Sequence, residues 1–340
     1  MKRIAIVILN WNGEAMLRQY VPTLLRYSAG QADLIVADNA STDGSVPMLR
    51  STFPEVRVIS LEKNWGFADG YNHALAQVDA EFLLLLNSDV EVTAGWLTPL
   101  LDFMDSHPDA AACQPKLRAE YQRDMLEYAG ACGGFIDRYG YPFCRGRLFE
   151  TVEKDEGQYD TPMPVFWATG AALLIRQADW KASGGLDGRF FAHQEEIDLC
   201  WRLQLMGRKV YCVPQSVVYH VGGGTLPKSN PAKTRLNFRN NLLMLYKNLP
   251  DAELRHVMRW RCLLDYVAAL EMLILGRSWG DFRAAIQGRR EFRQLLPVYR
   301  ALRRDVQQKA RCTELPGRKA YSLLWQYYIK GRKTFSALPD

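Results

Sequence analysis

The chain has no apolar run approaching the roughly 20 residues that a membrane-spanning helix requires, so none of its segments is expected to cross a bilayer. Cysteine is sparse, seven residues with no CxxC spacing. That argues against a disulfide framework and the usual zinc arrangements, and reads instead as small buried hydrophobes in a reducing compartment. The amino terminus enters an apolar strand directly, without the charged and apolar regions of a secretory leader. A cytoplasmic location is the expectation. No GxGxxG turn follows the first apolar run, and no glycine-rich loop with a basic residue lies near the amino terminus. Dinucleotide dehydrogenases and nucleotidyltransferases are set aside on that ground. The net charge of +6 comes without any nucleic-acid motif, so nucleic acid is not an expected partner.

What is present is a chain of 340 residues, 48% hydrophobic and 24% charged, long enough to bury a substantial core. Ile4 to Leu9 reads as a buried strand closed by Asn10-Trp11-Asn12-Gly13. Glu14 to Arg26 has helical spacing at Met16, Leu17, Tyr20, Leu24 and Leu25. Leu34 to Ala37 is a second strand running into Asp38-Asn39-Ala40-Ser41-Thr42-Asp43-Gly44-Ser45, and Val56 to Ser60 a third, followed by Asn64-Trp65-Gly66-Phe67-Ala68-Asp69. Leu83 to Leu86 ends in Asn87-Ser88-Asp89. Alone, that triplet is as good a turn or helix cap as a metal-binding acid. Strand and helix alternate as in a parallel sheet, and each polar cluster falls at the carboxyl end of a strand, where open α/β sheets bind ligands.

These clusters, together with Thr169-Gly170-Ala171, Gly184-Gly185-Leu186-Asp187 and Glu195-Glu196-Ile197-Asp198-Leu199-Cys200-Trp201-Arg202, resemble glycosyltransferase family 2 over roughly Lys2 to Asn241. The pattern is closest to the bacterial rhamnosyltransferase-like branch, which builds cell-surface polysaccharide. The resemblance implies an α/β GT-A fold, a Rossmann-like mixed central sheet flanked by helices, as a catalytic domain over residues 1–245. It also implies an inverting enzyme that moves a sugar, rhamnose or another hexose, from a UDP- or dTDP-linked donor to a saccharide or lipid-linked acceptor. A non-catalytic nucleotide-sugar-binding subunit of an assembly complex is the alternative.

The resemblance also distributes roles. Asp38 contacts the base and Asp69 closes the same pocket, with Asn10 and Asn12 framing the nucleoside and Asn64, Gly66, Asn87 and Ser88 on the donor side. Asp43-Gly44 reads as a tight turn. Asp89 with His220 holds a divalent cation, Mn²⁺ or Mg²⁺, although Asn87 replaces the first carboxylate of a fuller Asp-x-Asp motif. Gly222-Gly223-Gly224-Thr225 is a loop able to fold over the donor, and Arg239 and Asn240 are phosphate contacts, ahead of Lys233 and Arg235. The general base is Glu196, at the second acid of a pair that the family usually writes Glu-Asp, and the extra methylene keeps Glu195 in contention. Asp198 and Arg202, four apart on the following helix, read as a structural pair. Acceptor selection is expected from Trp167 and residues 169–171 on one side and Phe190 to Gln194 on the other, near a Gly-, Tyr- and charge-rich stretch over 120–160.

Beyond residue 246 the character changes. From Asp251 onward, 18 Lys and Arg face 9 Asp and Glu, a local net charge of +9. Leu263, Leu264, Val267, Leu270, Leu273 and Ile274 recur at helical spacing, and further helices are expected over Phe282 to Leu295 and Lys319 to Ile329. Such a basic amphipathic appendage suits peripheral contact at the inner face of the cell membrane, or packing on the catalytic domain or in a homodimer.

Overall fold

The computed structural model describes residues 2–222 and 230–339. The amino-terminal half follows the expected alternation: β1 (Ile4–Asn10), α1 (Glu14–Ser28), β2 (Ala32–Asp38), α2 (Ser45–Thr52), β3 (Arg57–Ser60), α3 (Gly66–Leu75), β4 (Phe82–Leu86) and a short β5 (Val90–Val92). After α4 (Leu97–Ser106) and β6 (Ala110–Ala119), a small antiparallel sheet of β7 (Gly134–Ile136), β8 (Pro142–Cys144), β9 (Arg147–Leu148) and β10 (Thr151–Val152) occupies the stretch rich in glycine, tyrosine and charge. The chain then makes β11 (Met163–Val165), β12 (Ala172–Arg176), α5 (Gln177–Ser183), α6 (Glu195–Leu205) and β13 (Lys209–His220). Three helices follow: α7 (Pro231–Asn248), α8 (Asp251–Ile274) and α9 (Trp279–Lys309).

The main sheet runs β11-β13-β6-β12-β4-β1-β2-β3, with β5 on β13. Strands β3, β2, β1 and β4 are mutually parallel, and β12 turns the order antiparallel against β4. The register pairs Asn10 with Asp38 and Asp38 with Ser60, so the polar clusters line up along one sheet edge. Period-two burial explains the apolar runs. Ile4, Ile6 and Ile8 pack with Leu17 and Val21 of α1 and Leu97 and Leu100 of α4, while Ala5 and Val7 face Ala68, Tyr71 and Ala74 of α3. A strand covered on both faces has no use for alternation with polar residues, hence Phe82-Leu83-Leu84-Leu85-Leu86.

The carboxyl-terminal helices are fastened to this domain rather than strung from it. Helix α7 runs through residue 245, and α9 lies along it so closely that a Cβ on Gly288 would come within 2.5 Å of the Arg235 carbonyl. The helix expected over Lys319 to Ile329 forms only in its second half. Lys319 N–H bonds the Ile136 carbonyl at 2.8 Å, and helical backbone begins at Leu323 and passes into a π-turn at Trp325–Ile329. Among the described residues, no helix is long and apolar enough to cross a membrane.

The expected Asp198–Arg202 pair forms, at 2.8 Å, and is part of a larger buried set. Lys247 of α7 reaches Asp198 at 2.9 Å and Asp187 at 2.7 Å, Asn248 donates to Asp198 at 2.8 Å, and Tyr299 of α9 donates to Asp187 at 3.0 Å. Four acidic and basic groups thus lock α6, α7, α9 and the turn before α6 together. Removing one charge from such a set strands the others, at a cost of about 3–5 kcal/mol. Asp198→Ala is therefore expected to lower unfolding stability by about that much in urea titration, and a loss of less than about 1 kcal/mol would show the charges to be effectively solvated.

Candidate active site

The first row of side chains follows from the β1–β2 register. Asn10 Nδ2 donates to Asp38 Oδ1 at 3.0 Å and to Ser41 Oγ at 3.1 Å, and Asp38 Oδ2 accepts from Ser41 N–H at 3.0 Å. Asn12, in a left-handed conformation at φ 53°, accepts from Thr42 N–H at 2.7 Å. Asp43 accepts from the N–H groups of Glu14 and Ser45, so it ties the starts of α1 and α2 in the tight turn expected of it. A further residue, Asn39, joins this row to the next: its amide donates to Asn64 Oδ1 at 3.1 Å and to the Gly66 carbonyl at 3.0 Å, and accepts from Trp65 N–H. Asp69 accepts from Asn72 at 3.1 Å and lies against the Gly188 backbone.

The second cluster is made by strand pairing. Strand β5 begins one residue after Asp89 and pairs antiparallel with β13, Val90 opposite His220, and Val221 N–H bonds the Asp89 carbonyl at 3.1 Å. His220 Nε2 consequently lies 3.2 Å from Asp89 Oδ1 and 3.4 Å from Asn87 Nδ2. On the other side of the ring, Nδ1 is 3.3 Å from Glu127 Oε1 without an aligned hydrogen bond. All three of Asp89, His220 and Glu127 are buried. Burial opposes a charged imidazole, but Glu127 and Asp89 together outweigh it and raise His220 to about 10. Burial likewise opposes ionisation of Asp89, yet the hydrogen bond and charge of His220 bring its carboxyl below the ordinary range. Gly222 takes φ 67°, a conformation that L side chains rarely adopt, and leaves room beside Glu127 Oε1, which a Cβ would meet at 2.8 Å. The rest of the expected glycine loop, residues 223–225, lies outside the described residues, as does everything to 229.

This donor set fits a hard divalent cation. Two ligands of one octahedral ion at about 2.1 Å stand roughly 3 Å apart, close to the separation of Asp89 Oδ1 and His220 Nε2. Glu127 stands where an outer carboxylate fixes a metal-binding imidazole with Nε2 free. Among the described residues no group of three or more His, Cys, Asp and Glu converges as a self-sufficient metal cage. An ion held here would take its remaining ligands from elsewhere, as cations bound to diphosphates do.

The acid pair stands at the start of α6, after a strained approach. Phe191, His193 and Gln194 all have positive φ, between 65° and 72°. Non-glycine residues hold such conformations only when neighbours impose them. Asn240, wholly buried, donates to the carbonyls of Phe190, Ala192 and His193 at 2.8–3.0 Å, Arg239 donates to those of Arg189 and Phe190, and the Phe67 and Ala68 N–H groups bond the Phe191 carbonyl. Arg239 and Asn240 thus clamp the loop that delivers the acid pair. Lys233 and Arg235, the weaker phosphate expectations, are neighbours of His193 and a partner of Glu291 respectively.

Glu195 and Glu196 each keep one buried carboxylate oxygen without a partner. Burial pushes Glu196 up to about 7, with the N–H groups of Glu196 and Ile197 opposing it only in part. Burial, followed by the neighbouring Glu196 charge, carries Glu195 well above the ordinary carboxylate range. A proton acceptor that titrates near neutrality is well matched to general-base work. The two clusters meet across residues 169–171. Asn87 N–H bonds the Ala171 carbonyl at 2.9 Å, while a Cβ on Gly170 would lie 3.8 Å from Glu196 Cβ and 3.2 Å from the Phe67 ring. Trp167, by contrast, is buried with its indole N–H on the Phe135 carbonyl, within the core. Because the acids titrate as a coupled pair, carboxyl NMR on Glu-labelled protein is expected to show an apparent step near pH 7; both acids titrating near 4.5 would contradict the site's desolvation.

Comparison with known proteins agrees with this geometry. Residues 5–151 match the family model for Glycosyl transferase family 2. N-acetylglucosaminyl-diphospho-decaprenol L-rhamnosyltransferase of Mycobacterium tuberculosis is 27% identical over 235 residues, covering 64% of this chain and 75% of the relative. Among solved structures, S. aureus TarS 1-349 in complex with UDP-GlcNAc superposes with a TM-score of 0.54 at 16% identity, over 91% of this chain and 90% of that one. GalNAc-T7 with UDP, GalNAc and Mn²⁺ superposes with a TM-score of 0.57 at 15% identity, over 73% of this chain and 48% of that one. These likenesses give the chain the GT-A fold.

Proposed function

Residues 5–151 belong to glycosyltransferase family 2, and from that premise we propose how this chain, a nucleotide-sugar-dependent glycosyltransferase of cell-surface polysaccharide synthesis, divides the work. The catalytic domain covers residues 1–245, with 246–340 as a helical appendage. Asp38, held by Asn10 and Ser41, takes the base or ribose of a UDP- or dTDP-sugar, with Asn12, Asn64, Gly66 and Asp69 completing the nucleoside pocket. Asp89 and His220 hold Mn²⁺ or Mg²⁺, with Asn87 and Ser88 beside them. The bound ion supplies positive charge beside the departing diphosphate.

Glu196 accepts the proton of the acceptor hydroxyl as that oxygen attacks the anomeric carbon. The bond to the diphosphate oxygen breaks in line, its electron pair leaving with the diphosphate, and the anomeric centre inverts. The acceptor is a saccharide on a lipid carrier, by analogy with the decaprenol-linked acceptor in the mycobacterial relative's name, and rhamnose is the donor sugar that name suggests. A lipid-linked acceptor brings the reaction to the inner face of the membrane, so peripheral contact through 251–340 belongs to the proposal. A homodimer through the same region is its competitor.

The observation that carries the reading is the pair of desolvated carboxylates at the start of α6, with Glu196 close to Gly170 in the same 169–171 stretch whose Ala171 carbonyl accepts from Asn87. A silent nucleotide-sugar-binding subunit is not favoured, since nothing in its task calls for two acids with unpartnered oxygens at that place. Glu196→Gln is expected to retain nucleotide binding while losing transfer by at least 10²-fold, measured with radiolabelled donor. If Glu196→Gln transfers normally and Glu195→Gln does not, the base is Glu195. With Glu196 as base, the transfer rate should rise with pH as Glu196 ionises near 7, and a rate flat from pH 5 to 9 would remove that role.

A further inference from the structure

Helix α8 carries more apolar surface than it buries. Its buried face holds Val257 and Ala269 with Arg261 and Asp265, the last two paired at 2.9 Å, and with Arg289 of α9 on the same carboxylate. Its solvent face carries Leu263, Val267, Leu270 and Ile274, each about half to two-thirds exposed. At 100° per residue these four fall within a sector of about 60°. Soluble helices present the reverse arrangement, and a contiguous apolar strip of this kind marks a surface that something covers. The strip continues beyond the helix, because Tyr328 lies close enough to Glu271 for that carboxylate to act on its phenol, and exposed Ile329 follows it.

The charges around the strip choose between occupants. Residues 251–340 carry a net +9, and beside the apolar strip, on or just past α8, exposed Arg255, Arg259 and Arg277 outnumber the exposed Glu271. A two-fold dimer would set this basic surface against its own copy. An anionic bilayer meets it with opposite charge, at roughly 1 kcal/mol per basic residue near the surface. Trp260 and Tyr266, both exposed, flank the aliphatic centre of the strip on opposite sides, as amphipathic rings do at a lipid–water interface. No described helix is able to span a bilayer. We propose that the outer face of α8, with Tyr328 and Ile329, is a membrane-docking surface that lies in the headgroup region of an acidic phospholipid bilayer.

The docking face is linked to the chemistry. Arg261, on the reverse side of α8, bonds Asn241 and the Tyr139 carbonyl, and Asn241 donates at 2.8 Å to Gln194, the residue before Glu195. Docking would bring the acid pair to the membrane surface where a lipid-linked acceptor resides. The proposal deepens the reading of a lipid-linked acceptor and rests on it for its purpose, but its test is independent of catalysis.

The test is flotation of the full chain with vesicles of phosphatidylglycerol and phosphatidylethanolamine, against vesicles of phosphatidylcholine alone. Binding to the anionic vesicles, weakened by salt, is expected. The double substitution Leu270→Glu and Ile274→Glu, at exposed positions, should lower that partition at least tenfold while leaving nucleotide binding and the circular dichroism spectrum unchanged. Absence of flotation with anionic vesicles, or flotation indifferent to the double substitution, overturns the docking surface and leaves the transferase reading standing. A dimer in sedimentation velocity that the same substitutions dissociate, without vesicle binding, assigns the strip to a second copy. Vesicle binding by a chain that transfers sugar only to soluble saccharides would instead overturn the lipid-linked acceptor.

Discussion

The antiparallel pairing of β5 with the end of β13 is the constraint from which the site follows. Val90 opposite His220 places the acid at the end of the most buried strand beside an imidazole from the last strand of the domain. Glu127, held against β6 by its N–H bond to the Leu117 carbonyl, reaches the far side of the ring. Shifting the register by one residue would turn His220 to the other face of the sheet, and Asp89 would lose the group that offsets the cost of its burial. A charged pair placed this deep is weak as a stabilising device. It makes sense as a cation site in which an incoming metal would displace the imidazole proton.

The acid pair depends on a second constraint of a different kind. Three residues in the left-handed region within the four that precede Glu195 store strain, and the Asn240 amide spends its donors on the carbonyls of Phe190, Ala192 and His193 to hold it. Behind that clamp stands the charge set of Asp187, Asp198, Arg202 and Lys247, which joins α6, α7 and α9. The carboxylates are thereby fixed before any substrate arrives, which is the condition under which a positioned base is effective. The carboxyl-terminal helices therefore belong to the site's support: α9 supplies Tyr299 to Asp187, and α8 supplies Arg261 to the chain of contacts that ends at Gln194.

The fold was legible where one physical cause dominated. Leu83 to Leu86 could only be a strand buried on both faces, and the polar clusters after β1, β2 and β4 lie where parallel sheets leave them. The Asp198–Arg202 pair was legible from helical spacing alone. Glu127 was not, because it sits in a stretch without period and acts through a contact that only the tertiary fold creates. Arg239 and Asn240 were read as phosphate contacts from their motif, and in the structure their donors point at loop carbonyls; no local pattern distinguishes the two uses. The helix expected from Lys319 starts late, at Leu323, for a comparable reason, since pairing with Ile136 satisfies the Lys319 backbone in place of a helical bond. In α8 the apolar spacing was visible, but not that Leu263, Val267, Leu270 and Ile274 would face solvent while Arg261 and Asp265 were buried.

The central claim is that Asp38, Asp89 and His220 together form one nucleotide-diphosphate and metal site. The most direct measurement is calorimetric titration of the purified chain with UDP and with dTDP, each in Mn²⁺ and in chelator. The account predicts that one of the two nucleotides binds, that binding weakens by tenfold or more in chelator, and that Asp89→Ala abolishes the difference. Nucleotide affinity that is the same with and without Mn²⁺, or absent for both nucleotides, would contradict it.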